Sequence, residues 1–134
     1  MKLYSDESGH ASIRGLENLI VSCIARVEVP AAVWRKHRRR ELEPDEAHSL
    51  VSAFESDYFG KADLRPRFAV IGLPTRVLDA AASETAVHGL RAYDAVQLAS
   101  ARAARNWDPD CATLACFDAA LREAAAVEGF ELIP

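Results

Sequence analysis

Residues 111–133 read CATLACFDAALREAAAVEGFELI. Cys111 to Phe117 form an apolar run that comes after a Pro-containing turn at Asn106 to Asp110. Asp118 then opens a helical pattern, Gly129 closes it, and Phe130 to Ile133 make a second short apolar run. A strand, a single helix and a returning strand are the elements of a parallel crossover unit.

The same grammar extends back along the chain. LIVSCI, from Leu19 to Ile24, is a short run rich in β-branched residues, and the pattern from Ala25 to about Arg40 predicts a helix. Pro44, Asp45 and Glu46 make a helix start, with Ala47, Leu50, Val51, Phe54 and Tyr58 on one face as far as Phe59, and Gly60 as the stop. FAVIGL, from Phe68 to Leu73, is another strand, followed after Pro74-Thr75 by a helix carrying Val77, Leu78, Ala81 and Ala82 and ending at Gly89. A further helix runs from about Ala92 to Arg105. Strands alternating with helices predict an α/β fold, a mostly parallel sheet covered on both faces.

Composition fits that picture. The chain has 134 residues, half of them apolar, which suits a single domain over 1–134 with a real core. Its 16 basic and 20 acidic side chains leave a net charge of -4, which argues against nonspecific coating of nucleic acid. Cys23, Cys111 and Cys116 are odd in number and form no C-x-x-C pair, and are read as reduced core residues of a cytoplasmic protein. No apolar stretch has the length of a membrane span, and the first ten residues do not resemble a signal peptide.

In open α/β sheets ligands bind beyond the carboxyl ends of the strands, which makes acids at strand-to-helix positions candidates for function. Glu28 lies in the first turns of the helix after LIVSCI, where the helix dipole alone favours an acid. Asp94 shares a small apolar face with Leu98 and Ala101, and a carboxylate buried there needs compensation; first-turn backbone N–H groups would also satisfy it. Asp118 is accounted for locally as an N-cap. Together, three acids at one rim would repel one another unless a divalent cation lay between them. Carboxylate oxygens suit Mg2+ or Mn2+, which retain waters and share positions with substrate phosphate. Such an ion makes its bound water a nucleophile and offsets charge on a phosphodiester. His10, His37, His48 and His88 show no zinc-site spacing, and no phosphate-binding glycine loop or serine-hydrolase elbow occurs.

Leu90-Arg91-Ala92-Tyr93-Asp94-Ala95-Val96-Gln97-Leu98-Ala99 resembles the motif around the central metal-binding Asp of the PIN-domain ribonucleases, specifically the VapC toxins of toxin-antitoxin pairs. Ala25-Arg26-Val27-Glu28-Val29 resembles the segment with that family's helix-borne Glu, and Phe117-Asp118-Ala119-Ala120-Leu121 its late Asp motif. The likeness covers essentially the whole chain in order and spacing. It implies a PIN-like α/β/α sandwich, a homodimer, RNA cleavage on Mg2+ or Mn2+ held by Glu28, Asp94 and Asp118, and inhibition by a VapB-like antitoxin.

Two departures accompany the likeness. Lys2-Leu3-Tyr4 resembles the segment just after the family's first strand, so that strand and its Asp are expected to be absent or displaced, with Asp6 and Glu7 too far along to replace it. The alternative is then a truncated, catalytically weak or inactive module that binds antitoxin or RNA. Cys116 stands where many relatives have Ser or Thr, and strand periodicity puts it on the face of Asp118, where a weaker hydrogen-bonding thiol tunes the site.

Arg35-Lys36-His37-Arg38-Arg39-Arg40 is the dense basic run, read generally as a solvated helix end. Arg35 and Arg39 share the stripe of Glu28 and are candidate RNA contacts, as is Cys116. Trp34 shares a face with Val27 and Ala31, which points to core or dimer packing. Trp107 sits in a turn, exposed and available to a partner.

Overall fold

The computed structural model describes Leu16, Asn18 and residues 19–133, and the expectations placed on Lys2-Leu3-Tyr4, Asp6, Glu7 and His10 lie outside the described residues. The described chain is mixed α/β, with five helices and four short strands, and it divides into two compact units at Ala69 and Val70.

The first unit begins with β1 (Leu19–Ser22), continues through α1 (Ala25–Arg38) and α2 (Pro44–Phe59), and ends within β2 (Phe68–Ile71). The strands β1 and β2 are hydrogen-bonded neighbours. α2 matches its predicted bounds at both ends because its start and stop are chemically explicit. Pro44 occupies the first turn, Glu46 Oε2 accepts from the Glu43 N–H at 2.8 Å, and the chain leaves at Gly60. Gly60 adopts φ 77°, and a Cβ there would come within 2.5 Å of the Leu64 carbonyl oxygen. The buried residues are Val33, Ala47, Phe54 and Phe68, with the Phe54 and Phe68 rings 6.2 Å apart and tilted.

α1 corrects the expected face. Val33 is its buried residue, whereas Val27 and Ala31 are exposed. Trp34 is half-buried and meets His48 and His37 edge-on at 4.9 and 5.7 Å. The helix also stops two residues early. Arg40 N–H donates to the His37 carbonyl at 2.8 Å and Glu41 N–H to the Lys36 carbonyl at 3.0 Å, closing a Schellman turn with Arg40 at φ 59°.

The second unit continues from β2 with α3 (Thr75–His88), α4 (Ala92–Trp107), β3 (Thr113–Ala115), α5 (Ala119–Val127) and β4 (Glu131–Ile133). β3 and β4 pair in parallel with Thr113 opposite Glu131, Leu114 opposite Leu132 and Ala115 opposite Ile133. Residues 111–133 are therefore a strand–helix–strand unit with parallel strands. Val77, Ala81, Leu90, Ala95, Leu98, Cys116, Leu121, Ala125 and Phe130 belong to one continuous core. Alanines at 81, 95, 99, 124 and 125 let the helix backbones approach closely while still removing apolar surface from water.

The sheet is less extensive than expected. Among the described residues the strands form two separate two-stranded ladders, β1–β2 and β3–β4. Ala69 and Val70 of β2 are exposed, so this strand is not covered on both faces. A four-residue apolar run carries no signal that separates a strand covered on two faces from one covered on one.

Candidate functional site

Asp94 and Asp118 come together in the second unit. Asp94 lies in the first turn of α4, and Asp118 caps α5 just after β3. The Arg91 guanidinium sits between them, with Nε 3.8 Å from Asp94 Oδ2 and Nη2 3.5 Å from Asp118 Oδ2. Arg91 reaches both because it is the residue before α4, one helical turn from Asp94.

The two carboxylates have different surroundings. Asp118 is 37% exposed, and its Oδ1 accepts from the backbone N–H groups of Ala120 and Leu121 at 3.0 and 3.1 Å. Its cap bonds leave Oδ2 on the side of Arg91. Asp94 is 20% exposed. Burial pushes its carboxyl above the ordinary 3.8, the charge of Asp118 pushes the same way, and Arg91 opposes both. A carboxylate raised by burial and by a second acid gains from any cation brought alongside.

Cys116 is buried. Burial raises its thiol most, Arg122 lowers it, and Asp118 and Asp94 raise it further. Cys116 thus lies within electrostatic reach of both acids, just beyond the end of β3. Arg122 Nη1 donates to the Cys116 carbonyl at 2.8 Å and to the Ile133 carbonyl at 3.1 Å, tying the ends of the β3–β4 ladder.

Glu28, Arg35 and Arg39 belong to the first unit. Glu28 is half-buried in the first turn of α1, Arg35 is exposed in its last turn, and Arg39 is the exposed C-cap. Because α1 ends at Arg38, Arg39 does not continue the helical stripe of Glu28.

The sequence gives His88 no metal-site spacing, yet the structure gives it company. His88 Nε2 stands 3.2 Å from Glu84 Oε2 and 3.1 Å from Glu128 Oε1, and one ligand atom from each of the three residues lies within 4.8 Å of the others. Arg102 also engages both acids, with Nη1 on Glu84 Oε1 and Nε 3.4 Å from Glu128 Oε2. Glu84 is 3% exposed. Two acids held by one guanidinium and one imidazole are compensated by protein groups, so this cluster serves as an ion-pair clasp joining α3, α4 and the end of α5. Its local signal is the i, i+4 spacing of Glu84 and His88; Arg102 and Glu128 have none.

Two oxygens, Asp94 Oδ2 and Asp118 Oδ2, thus face one exposed countercharge where α4 and α5 begin. Such a pair fits a hard cation that keeps several waters and needs only one or two carboxylates. Comparison with protein-family models and with curated proteins finds no match for this chain.

Proposed function

We propose that the chain is a divalent-metal-dependent endoribonuclease of the PIN-domain, VapC-like kind, with a PIN-like α/β/α sandwich. The observation that carries this reading is the meeting of Asp94 and Asp118 at the Arg91 guanidinium. Asp94 and Asp118 would hold Mg2+ or Mn2+, and the Arg91 guanidinium beside them is 83% exposed and free to turn into solvent. Such an ion, when bound, would supply a water of lowered pKa and offset charge on the phosphodiester. Asp94 and Asp118 bind and orient it; Glu28 joins them in this reading through its sequence motif alone. Cys116, buried and within electrostatic reach of both acids, tunes the site in this reading. Arg35 and Arg39 supply phosphate contacts in this reading. A homodimer, a cytoplasmic location and inhibition by a VapB-like antitoxin belong to the same proposal through the resemblance.

Purified protein incubated with single-stranded RNA cleaves it with Mg2+ or Mn2+ and not with EDTA. Asp94→Asn abolishes cleavage while keeping the folded far-UV spectrum. Undiminished cleavage by Asp94→Asn overturns the assignment.

A second reading has its own observation. With Arg91 between them, Asp94 and Asp118 already have a countercharge, as a noncatalytic antitoxin- or RNA-binding module requires. Specific RNA or antitoxin binding by wild type, with no cleavage in either metal, selects this reading.

A further inference from the structure

The open end of the α3–α4 hairpin carries a groove of about 350 Å3, away from the acids. Its floor is Val77, Ala80, Ala99 and Ala103, where small side chains leave room that larger ones would fill. Its walls are Arg76, Arg102, Asn106 and Trp107. Trp107 closes α4 and is 79% exposed, an indole left in water where a buried position would remove its apolar face from solvent. Arg76 is exposed and has no acidic partner among the described residues, whereas Arg102 is already held by Glu84 and Glu128.

These groups are the parts of a nucleotide site. An exposed indole is a stacking surface for any base, a guanidinium without an acidic partner meets a phosphate, and the Asn106 amide offers both a donor and an acceptor to a base edge. The volume lies at the small end of ligand-pocket sizes, which suits one nucleotide unit rather than a folded partner. Lone aromatic exposure would also suit an apolar peptide, but such a peptide gains nothing from Arg76 or Asn106. The geometry points to a binding site for one nucleotide of a single-stranded RNA, stacked on Trp107 with its phosphate on Arg76. Thirteen residues of helix separate Asp94 from Trp107, roughly 20 Å at 1.5 Å per residue, so the groove is a separate foothold and not part of the acid pair. The inference stands on the groove itself and does not require the acids to bind metal.

The test uses the full chain carrying Asp94→Asn, in EDTA, so that cleavage cannot intervene. Fluorescence anisotropy reads the binding of a labelled single-stranded RNA dodecamer, with AMP as unlabelled competitor. Trp107→Ala weakens dodecamer binding about 5- to 100-fold, the range expected for losing one stacked base. Trp107→Phe, which keeps a stacking face, stays closer to the parent than Trp107→Ala. Arg76→Ala weakens binding and lowers the slope of log affinity against log salt by about 0.7, one phosphate contact on a single strand. Both side chains are exposed, so neither change disturbs the core, and unaltered thermal unfolding checks this. Dodecamer affinity unchanged by Trp107→Ala and by Arg76→Ala overturns the site. AMP binding as tightly as the dodecamer overturns the strand in favour of a free nucleotide. Undiminished cleavage by Asp94→Asn in Mg2+ with Trp107-dependent binding intact rejects the nuclease reading alone, whereas cleavage lost in Asp94→Asn with binding unaffected by Trp107→Ala and Arg76→Ala rejects the groove alone.

Discussion

Asp94 and Asp118 share one countercharge: Arg91 stands 3.8 Å from the first and 3.5 Å from the second. Because Arg91 is largely in solvent, its screening of the pair is partial, and Asp94 keeps a carboxyl raised above 3.8 by burial and by Asp118. With the folded-state value raised, the native chain binds more protons than the unfolded chain in the window above 3.8. Stability therefore falls as pH rises through that window and is restored as pH drops. Asp94→Asn removes the charge, so its melting temperature exceeds wild type at pH 7.5 and the difference shrinks toward pH 4. Equal differences at both pH values, in thermal melts followed by circular dichroism, would refute a charge-based cost at Asp94.

Asp118 does two jobs that substitution can separate. Its Oδ1 caps α5 through Ala120 and Leu121, while Oδ2 faces Arg91. Asn caps helices about as well as Asp, so Asp118→Asn leaves urea stability near wild type. Asp118→Ala loses about 1 kcal/mol. In the nuclease reading both variants lose Mn2+ affinity, because both lack the second charge. Calorimetric titration that finds Mn2+ affinity intact in Asp118→Asn removes Asp118 from the metal-binding pair.

The helices, and those of their ends that carry explicit start or stop residues, are legible in the sequence because their signals are local. Pro44, Glu46 and Gly60 bound α2, and Gly89 and Gly129 stop α3 and α5, each by chemistry read within a few residues. Asp118 is legible as a candidate because it caps the helix that follows a strand, and Asp94 because it is a first-turn acid on an apolar helix face, although its helix follows α3 and not a strand. Their shared Arg91 is not, since a contact across 27 residues leaves no trace in spacing. The Glu84–His88–Arg102–Glu128 clasp escapes for the same reason. The buried face of α1 differs from the expected one because Val27, Ala31, Val33 and Trp34 give no single apolar stripe, and only tertiary contact selects Val33.

The clasp predicts a large stability effect far from the acids at the rim. Glu84 is buried and serves both His88 and Arg102, so Glu84→Ala leaves the Arg102 guanidinium and the His88 imidazole each short of a partner. Breaking a fully buried pair costs about 3–5 kcal/mol. Arg102 is 41% exposed and keeps Glu128, so about 2–3 kcal/mol is expected here. Urea unfolding measures it, and a loss below about 0.5 kcal/mol would mean the clasp contributes little to the fold.

Two helix ends with the same hydrogen-bond pattern predict opposite outcomes. After α5, Gly129 N–H donates to the Ala126 carbonyl and Phe130 N–H to the Ala125 carbonyl, both at 3.0 Å, with Gly129 at φ 79°. After α1, Arg40 occupies the corresponding place at φ 59°. A side chain in this left-handed region costs about 1–2 kcal/mol, offset in part because glycine loosens the unfolded chain by about 0.4–1 kcal/mol. Gly129→Ala therefore destabilises by about 1 kcal/mol, while Arg40→Gly stabilises by about 0.5 kcal/mol. The second gain persists in high salt, since it arises from backbone strain and not from relieving the repulsion within Arg38-Arg39-Arg40. Chemical unfolding at low and high salt distinguishes the two causes: a gain that vanishes with salt assigns it to charge.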